Sequence, residues 1–169
     1  DRGGSTVIDL QFTSAEELAS GGNAPFDPSV EGNIFDLTLG SLETFWTQAM
    51  PAAFDLEWDS LLDDDQVVAF DPDDPSSLPE CPGTDVDVED VAGRAFTCFG
   101  EPDDPDDDFV AFDIQLAASL YDQIGDFAVS GIISRQYAFV AQVLLGNLDN
   151  DLDSSLQADC FSGAWAGAV

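Results

Sequence analysis

Asp149, Asp151 and Asp153 alternate as the ligands in the first half of an EF-hand loop do, a spacing that turns successive carboxylates toward one hard cation. The second half of the pattern is missing: Ser154 replaces the turn glycine and Cys160 stands where the bidentate Glu belongs. In a chain this rich in aspartate such alternation arises from composition alone, so a solvated loop is expected, with calcium as the alternative reading. The acidic turn at 103–108 is read in the same way, as a collector of hydrated cations without a defined site. Nucleophilic catalysis by serine lacks its base, because the chain has no His and no Lys. Unaided carboxylate chemistry is what composition leaves open, for example a hydrolase built on a pair such as Asp113 and Asp126.

Four segments share an order and a character. Ser41–Leu42–Glu43–Thr44–Phe45–Trp46 precedes Met50–Pro51; Cys81 precedes Gly93–Arg94–Ala95–Phe96–Thr97–Cys98 and then Phe109–Val110–Ala111–Phe112–Asp113. Ile124–Gly125–Asp126–Phe127–Ala128 runs into the stretch Ile132–Gln142, which contains Tyr137. Leu156–Gln157–Ala158–Asp159–Cys160–Phe161–Ser162–Gly163–Ala164–Trp165–Ala166 closes the series. Together they resemble the bacterial putative neutral zinc metallopeptidase family over roughly residues 40 to 166, the last segment lying close to its Gln-Ala-Asp-Cys-Phe-Ala-Gly-x-Trp-Ala signature.

That resemblance implies a zincin-like scaffold and a His-Glu-x-x-His helix, in which two imidazoles one turn apart hold zinc and the Glu polarises its water. Here Arg135 and Phe139 occupy the histidine positions and Gln136 the position of the base. A guanidinium stays protonated, a phenyl ring has no lone pair to give, and an amide takes no proton at neutral pH. Ser155 stands where relatives place a Glu, the third ligand. The expectation is a degenerate, noncatalytic member without zinc and with no other cofactor. Arg135 is expected to fill the old metal position as a buried ion pair with Asp159, so that Arg135→Ala costs about 3 kcal/mol. Relatives also carry the cysteine pair matching Cys81 and Cys98, which here flank a polar, turn-rich segment suited to a disulfide and point to an exported, extracellular or cell-surface protein. Cys160 is left over and is expected to be a small buried hydrophobe; an exposed Cys160 would be free to pair with another chain. The family continues past the Trp-Ala signature, so truncation or cleavage after Val169 is also expected.

Charge adds a second constraint. The chain has 35 Asp and Glu against three cations, Arg2, Arg94 and Arg135, for a net charge of −32, and Asp outnumbers Glu 27 to 8. With 44% hydrophobic residues it is not a disordered acidic chain. Self-repulsion is strong at low ionic strength and small where the screening length falls to about 3 Å, near 1 M salt, so the surface suits high salt. Nucleic acid is excluded as a partner because phosphate contacts need Lys and Arg. The expected partners are another protein or further copies of the chain, with cations at the acidic surface.

The positioning elements follow from pattern. At 169 residues the chain suits a single domain, with residues 1–33 as an N-terminal arm and 34–169 as the metallopeptidase-like domain. The arm has an apolar run at Val7–Phe12 and a cap at Ser14; its first residues lack the charged and apolar regions of a signal peptide. A helix from Asn33 has Ser41 as cap and buries Leu42, Phe45, Trp46 and Ala49. Gln66–Phe70 reads as a strand, the Asp- and Pro-rich 71–77 as loop, and Ala95–Phe99 with Phe109–Ile114 as an antiparallel pair. Gln115–Gly125 reads as an amphipathic helix, and Phe127–Leu145 as an apolar helix closed by Gly146. Ser130, Ser134, Arg135, Gln136 and Gln142 interrupt the last one, which favours a core helix over membrane insertion. The fold class expected is α+β, mainly helical, with a small antiparallel β element.

Overall fold

The computed structural model describes residues 24–61, 66–100, 108–147 and 152–169. The segments around Val7–Phe12 and Ser14, most of the 103–108 turn, and Asp149 and Asp151 lie outside the described residues.

Helix α1, Ile34–Phe54, starts at Asn33, whose side-chain Oδ1 accepts the backbone N–H groups of Phe35 and Asp36 at 2.9 and 3.0 Å. Those are two of the donors that a helix start leaves without intrahelical partners. Ser41, read from sequence as the cap, instead lies two turns inside α1, buried, and accepts the indole N–H of Trp165 at 3.0 Å. Small polar residues serve a cap or a buried acceptor equally well, and the buried positions Ile34, Phe35 and Thr38 upstream extend the inward stripe. Pro51 does not end the helix, which gains a further turn and closes at Asp55 in the left-handed region, φ 58°.

Strands β1 (Val67–Phe70), β2 (Ala95–Cys98) and β3 (Phe109–Asp113) form one sheet in the order β1-β3-β2. β2 and β3 pair antiparallel, Ala95 opposite Phe112. β1 joins the other edge of β3 in parallel, Val67 opposite Val110, so the sheet is mixed rather than purely antiparallel. The long connection through the loop and the one-turn helix α2 (Val88–Val91) makes that parallel pairing feasible. β3 is buried along its whole length. Its alternating side chains serve two cores, Val110 and Phe112 on one face, Phe109 and Ala111 on the other.

Asp113 ends β3 and starts α3, Ile114–Gln123, accepting from Gln115 and Leu116 with one oxygen and from the Gly93 amide with the other. The turn into α4, Asp126–Leu144, is made by Gly125 at φ 116°, a conformation side chains disfavour. α4 is long and apolar enough to cross a membrane by length and composition, yet ten of its residues are buried within the fold, where it packs on α1, α3, β2, β3 and α5 (Leu152–Ala166). The larger core lies between α1, α4, α5 and one sheet face. The smaller one, around Phe70, Val91, Cys98, Phe109 and Ala111, is closed by Leu78, Cys81 and Val86.

Residues 24–33 belong to the segment expected as an arm. They pack on the domain: the Ala24 amide donates to Asp126 at 3.1 Å, the Tyr121 hydroxyl donates to the Ala24 carbonyl at 2.7 Å, and Phe26 sits against Phe35 and Tyr121.

Candidate functional site

Helix α4 presents two different sides. On the outer one, Arg135 Nε donates to Asp159 Oδ1 at 2.7 Å, and its guanidinium lies 5.0 Å over the Phe139 ring. The partners sequence reasoning named do meet, but the pair is not buried: the two side chains are 38% and 57% exposed. Exposed ion pairs contribute about 0.2–1 kcal/mol, so the expected 3 kcal/mol does not apply. Gln136, one residue on, turns inward instead; it is buried and its Oε1 accepts the Thr97 hydroxyl at 3.0 Å. Ser155 is half-buried on α5, one turn before Asp159. Arg135, Phe139 and Asp159 are thus brought together at the α4–α5 contact, while Gln136 is committed to β2.

Cys160 is exposed, not buried. The inward positions of α5 are Ser154, Ala158 and Trp165, and a residue two beyond Ala158 lies about 200° round the helix. The cysteine belongs to an outward row with Leu152, 72% exposed, Leu156, 53% exposed, and exposed Gly163. Asp153, also exposed, is in the first turn of α5. An EF-hand-like loop beginning at Asp149 would have to run non-helically through this stretch, which is helical from Leu152 onward. Asp113 and Asp126 fail as a catalytic pair for a similar reason. Asp113 caps α3, Asp126 is the first residue of α4 and accepts the Ala24 and Phe127 amides, and the ten-residue α3, about 15 Å long, stands between them. Among the described residues no group of three or more His, Cys, Asp or Glu side chains is placed to hold one metal.

The inner side of α4 carries a cluster that sequence reasoning missed. Glu43 on α1 is buried, at 8% exposure; one carboxylate oxygen accepts the Trp58 indole N–H at 2.8 Å and the other the Leu61 amide at 3.2 Å. Trp58 stacks nearly parallel to Trp46, 5.5 Å between centroids, and to Tyr137 of α4, 6.0 Å. Tyr137 is fully buried; burial first, and then the Glu43 charge, push its hydroxyl far above the usual tyrosine range, so it stays a neutral phenol. Its hydroxyl faces the Glu43 carboxylate, whose charge and hydrogen bonding both favour the neutral phenol, while the buried Trp46 indole N–H closes no hydrogen bond with the described residues. A signal was available: Glu43 sits on the same stripe as Trp46 and Met50, three and seven residues on, where a solvated carboxylate does not belong.

Cys81 and Cys98 are joined as a disulfide, which fastens the 75–86 loop to β2 within the smaller core and fits an oxidising environment. That loop borders an open depression of about 730 Å³ with Glu80 and Asp85 on its walls.

Fold and site together define a mainly helical α+β domain with a small mixed sheet, a carboxylate–aromatic cluster inside and a charge-poor helix face outside. No family model matches the chain, and neither a curated protein nor a solved structure is found similar to it.

Proposed function

We propose that the chain is a noncatalytic, metallopeptidase-like domain of an exported protein, working by protein contact, and that the contact is self-association through the outer face of α5. The carrying observation is the exposed row Leu152, Leu156, Cys160 and Gly163 in a chain of net charge −32. Along α5 the carboxylates are Asp153, exposed in the first turn, and Asp159, which is paired with one of the three cations of the chain. Two copies of so acidic a protein repel one another wherever carboxylates are dense, so a homotypic contact favours a face where they are few. The disulfide supports an extracellular setting, and the acidic surface supports high salt, where screening removes most of the remaining repulsion. The replacement of both imidazole positions and the base by Arg135, Gln136 and Phe139, each now committed to packing or to a neighbour, supports the loss of peptidase chemistry.

Light scattering under reducing conditions tests the reading. In about 1 M salt the protein is expected to be a dimer or larger, dissociating as salt is lowered, and Leu156→Asp is expected to shift it to monomer without altering its circular dichroism. On oxidation, Cys160 is expected to cross-link the assembly. A monomer at every salt and protein concentration overturns self-association, and zinc-dependent peptide turnover overturns the noncatalytic reading.

A further inference from the structure

The two edges of the sheet are treated differently. β2 packs against α4, where the Thr97 hydroxyl donates to Gln136, and β3 in the middle is buried throughout. β1 is covered only in part: Val67 and Val68 are half-buried and Ala69 is exposed, although all three are apolar. Its backbone is half used. The Val110 amide donates to the Gln66 carbonyl at 2.8 Å, and with Val67 opposite Val110 this turns Val68 toward β3. The N–H and C=O groups of Val67 and Ala69 therefore point to the free edge, where no described residue bonds them. An edge of this kind takes up another strand unless something closes it.

One segment of the chain has the matching pattern. Ile8, Leu10 and Phe12 alternate with Asp9 and Gln11, the period-two arrangement of a strand with one apolar face, and neither Pro nor Gly lies between Val7 and Phe12. Residues 1–23 precede the described ones, and their point of entry is fixed: the Ala24 carbonyl accepts the Tyr121 hydroxyl at 2.7 Å, toward the far end of α3. At the near end Gln115 donates to Asp71, the residue after β1, at 2.8 Å. Gln115 and Tyr121 are six residues apart, about 9 Å along the helix. The eleven residues 13–23 can span up to about 36 Å. We propose that Ile8–Phe12 adds to the free edge of β1 in its own chain as a fourth strand, its amides and carbonyls pairing with those of Val67 and Ala69 and its apolar face extending the cover over β1. Tethering favours the chain's own arm over that of another copy, because a short linker holds the strand at an effective concentration on the order of millimolar. While the arm is in place, no second copy can pair along β1.

Amide hydrogen exchange read by NMR on the full chain tests this, with Leu10→Asp, which puts a charge at the centre of the apolar face, as the comparison. In the intact chain the Val67 and Ala69 amides are expected to exchange about tenfold or more slowly than in Leu10→Asp, with exchange in β3 the same in both. Leu10→Val, which keeps the apolar face, is expected to retain the protection. Equal exchange at Val67 and Ala69 in the intact chain and in Leu10→Asp overturns the proposal. Protection that grows with protein concentration would assign the strand to a second copy and overturn the pairing within one chain.

Discussion

The two carboxylates facing α4 differ in setting more than in chemistry. Asp159 meets a full positive charge at 2.7 Å, yet in solvent. Glu43 meets only neutral groups, two N–H donors at 2.8 and 3.2 Å and the Tyr137 phenol, yet inside the core. The contact that looks stronger on paper is the weaker one, because water competes for Asp159 and Arg135 and salt screens them, while Glu43 has given up its hydration and depends on the protein for every hydrogen bond. For this domain the environment of a charge ranks above the identity of its partner.

Removing the buried member should break the contrast most sharply. Glu43→Ala is expected to cost about 3 kcal/mol, since it strands the Trp58 and Leu61 donors around a cavity; chemical denaturation that finds less than 1 kcal/mol, against the roughly 1–3 expected of a single stranded donor, would sink the assignment. A smaller effect comes from Tyr137. Its folded pKa lies above the unfolded value of 10.0, so its contribution is intact below pH 10 and is lost as pH rises beyond it, because the unfolded chain ionises first. The expected slope is about 1.4 kcal/mol per pH unit above that point, and Tyr137→Phe should remove it. Least of all is expected from Arg135→Ala, about 0.5 kcal/mol and shrinking with salt, with a double-mutant cycle against Asp159 giving coupling below about 1 kcal/mol.

Local signals were legible in the sequence. The apolar stripe around Leu42, Phe45, Trp46 and Ala49, the α4 helix ending before Gly146, the antiparallel β2–β3 pair and the Cys81–Cys98 spacing all follow from periodicity, turn residues or separation along the chain. What was missed depends on contacts between distant segments. β1 pairs in parallel through a connection with no hairpin signature. Ser41 is inside α1 because Trp165, 124 residues away, needs an acceptor. Arg135 found its partner but not its burial, which no pair of residue types determines. Cys160 was placed by its apolar neighbours in sequence, although a helix puts adjacent residues on different sides. Glu43 was readable from the stripe alone, and Trp58 was not, because nothing local to 55–61 indicates that its ring turns inward.

β3 has a consequence for how the molecule comes apart. One five-residue strand is the common wall of both hydrophobic cores, with Val110 and Phe112 facing the helices and Phe109 and Ala111 facing the disulfide-bound loop. A slip of one residue in its register would exchange those two sets, sending each core the side chains shaped for the other. Neither core can therefore dissolve while the other keeps its wall in place, and the described domain is built to unfold as one cooperative unit rather than layer by layer.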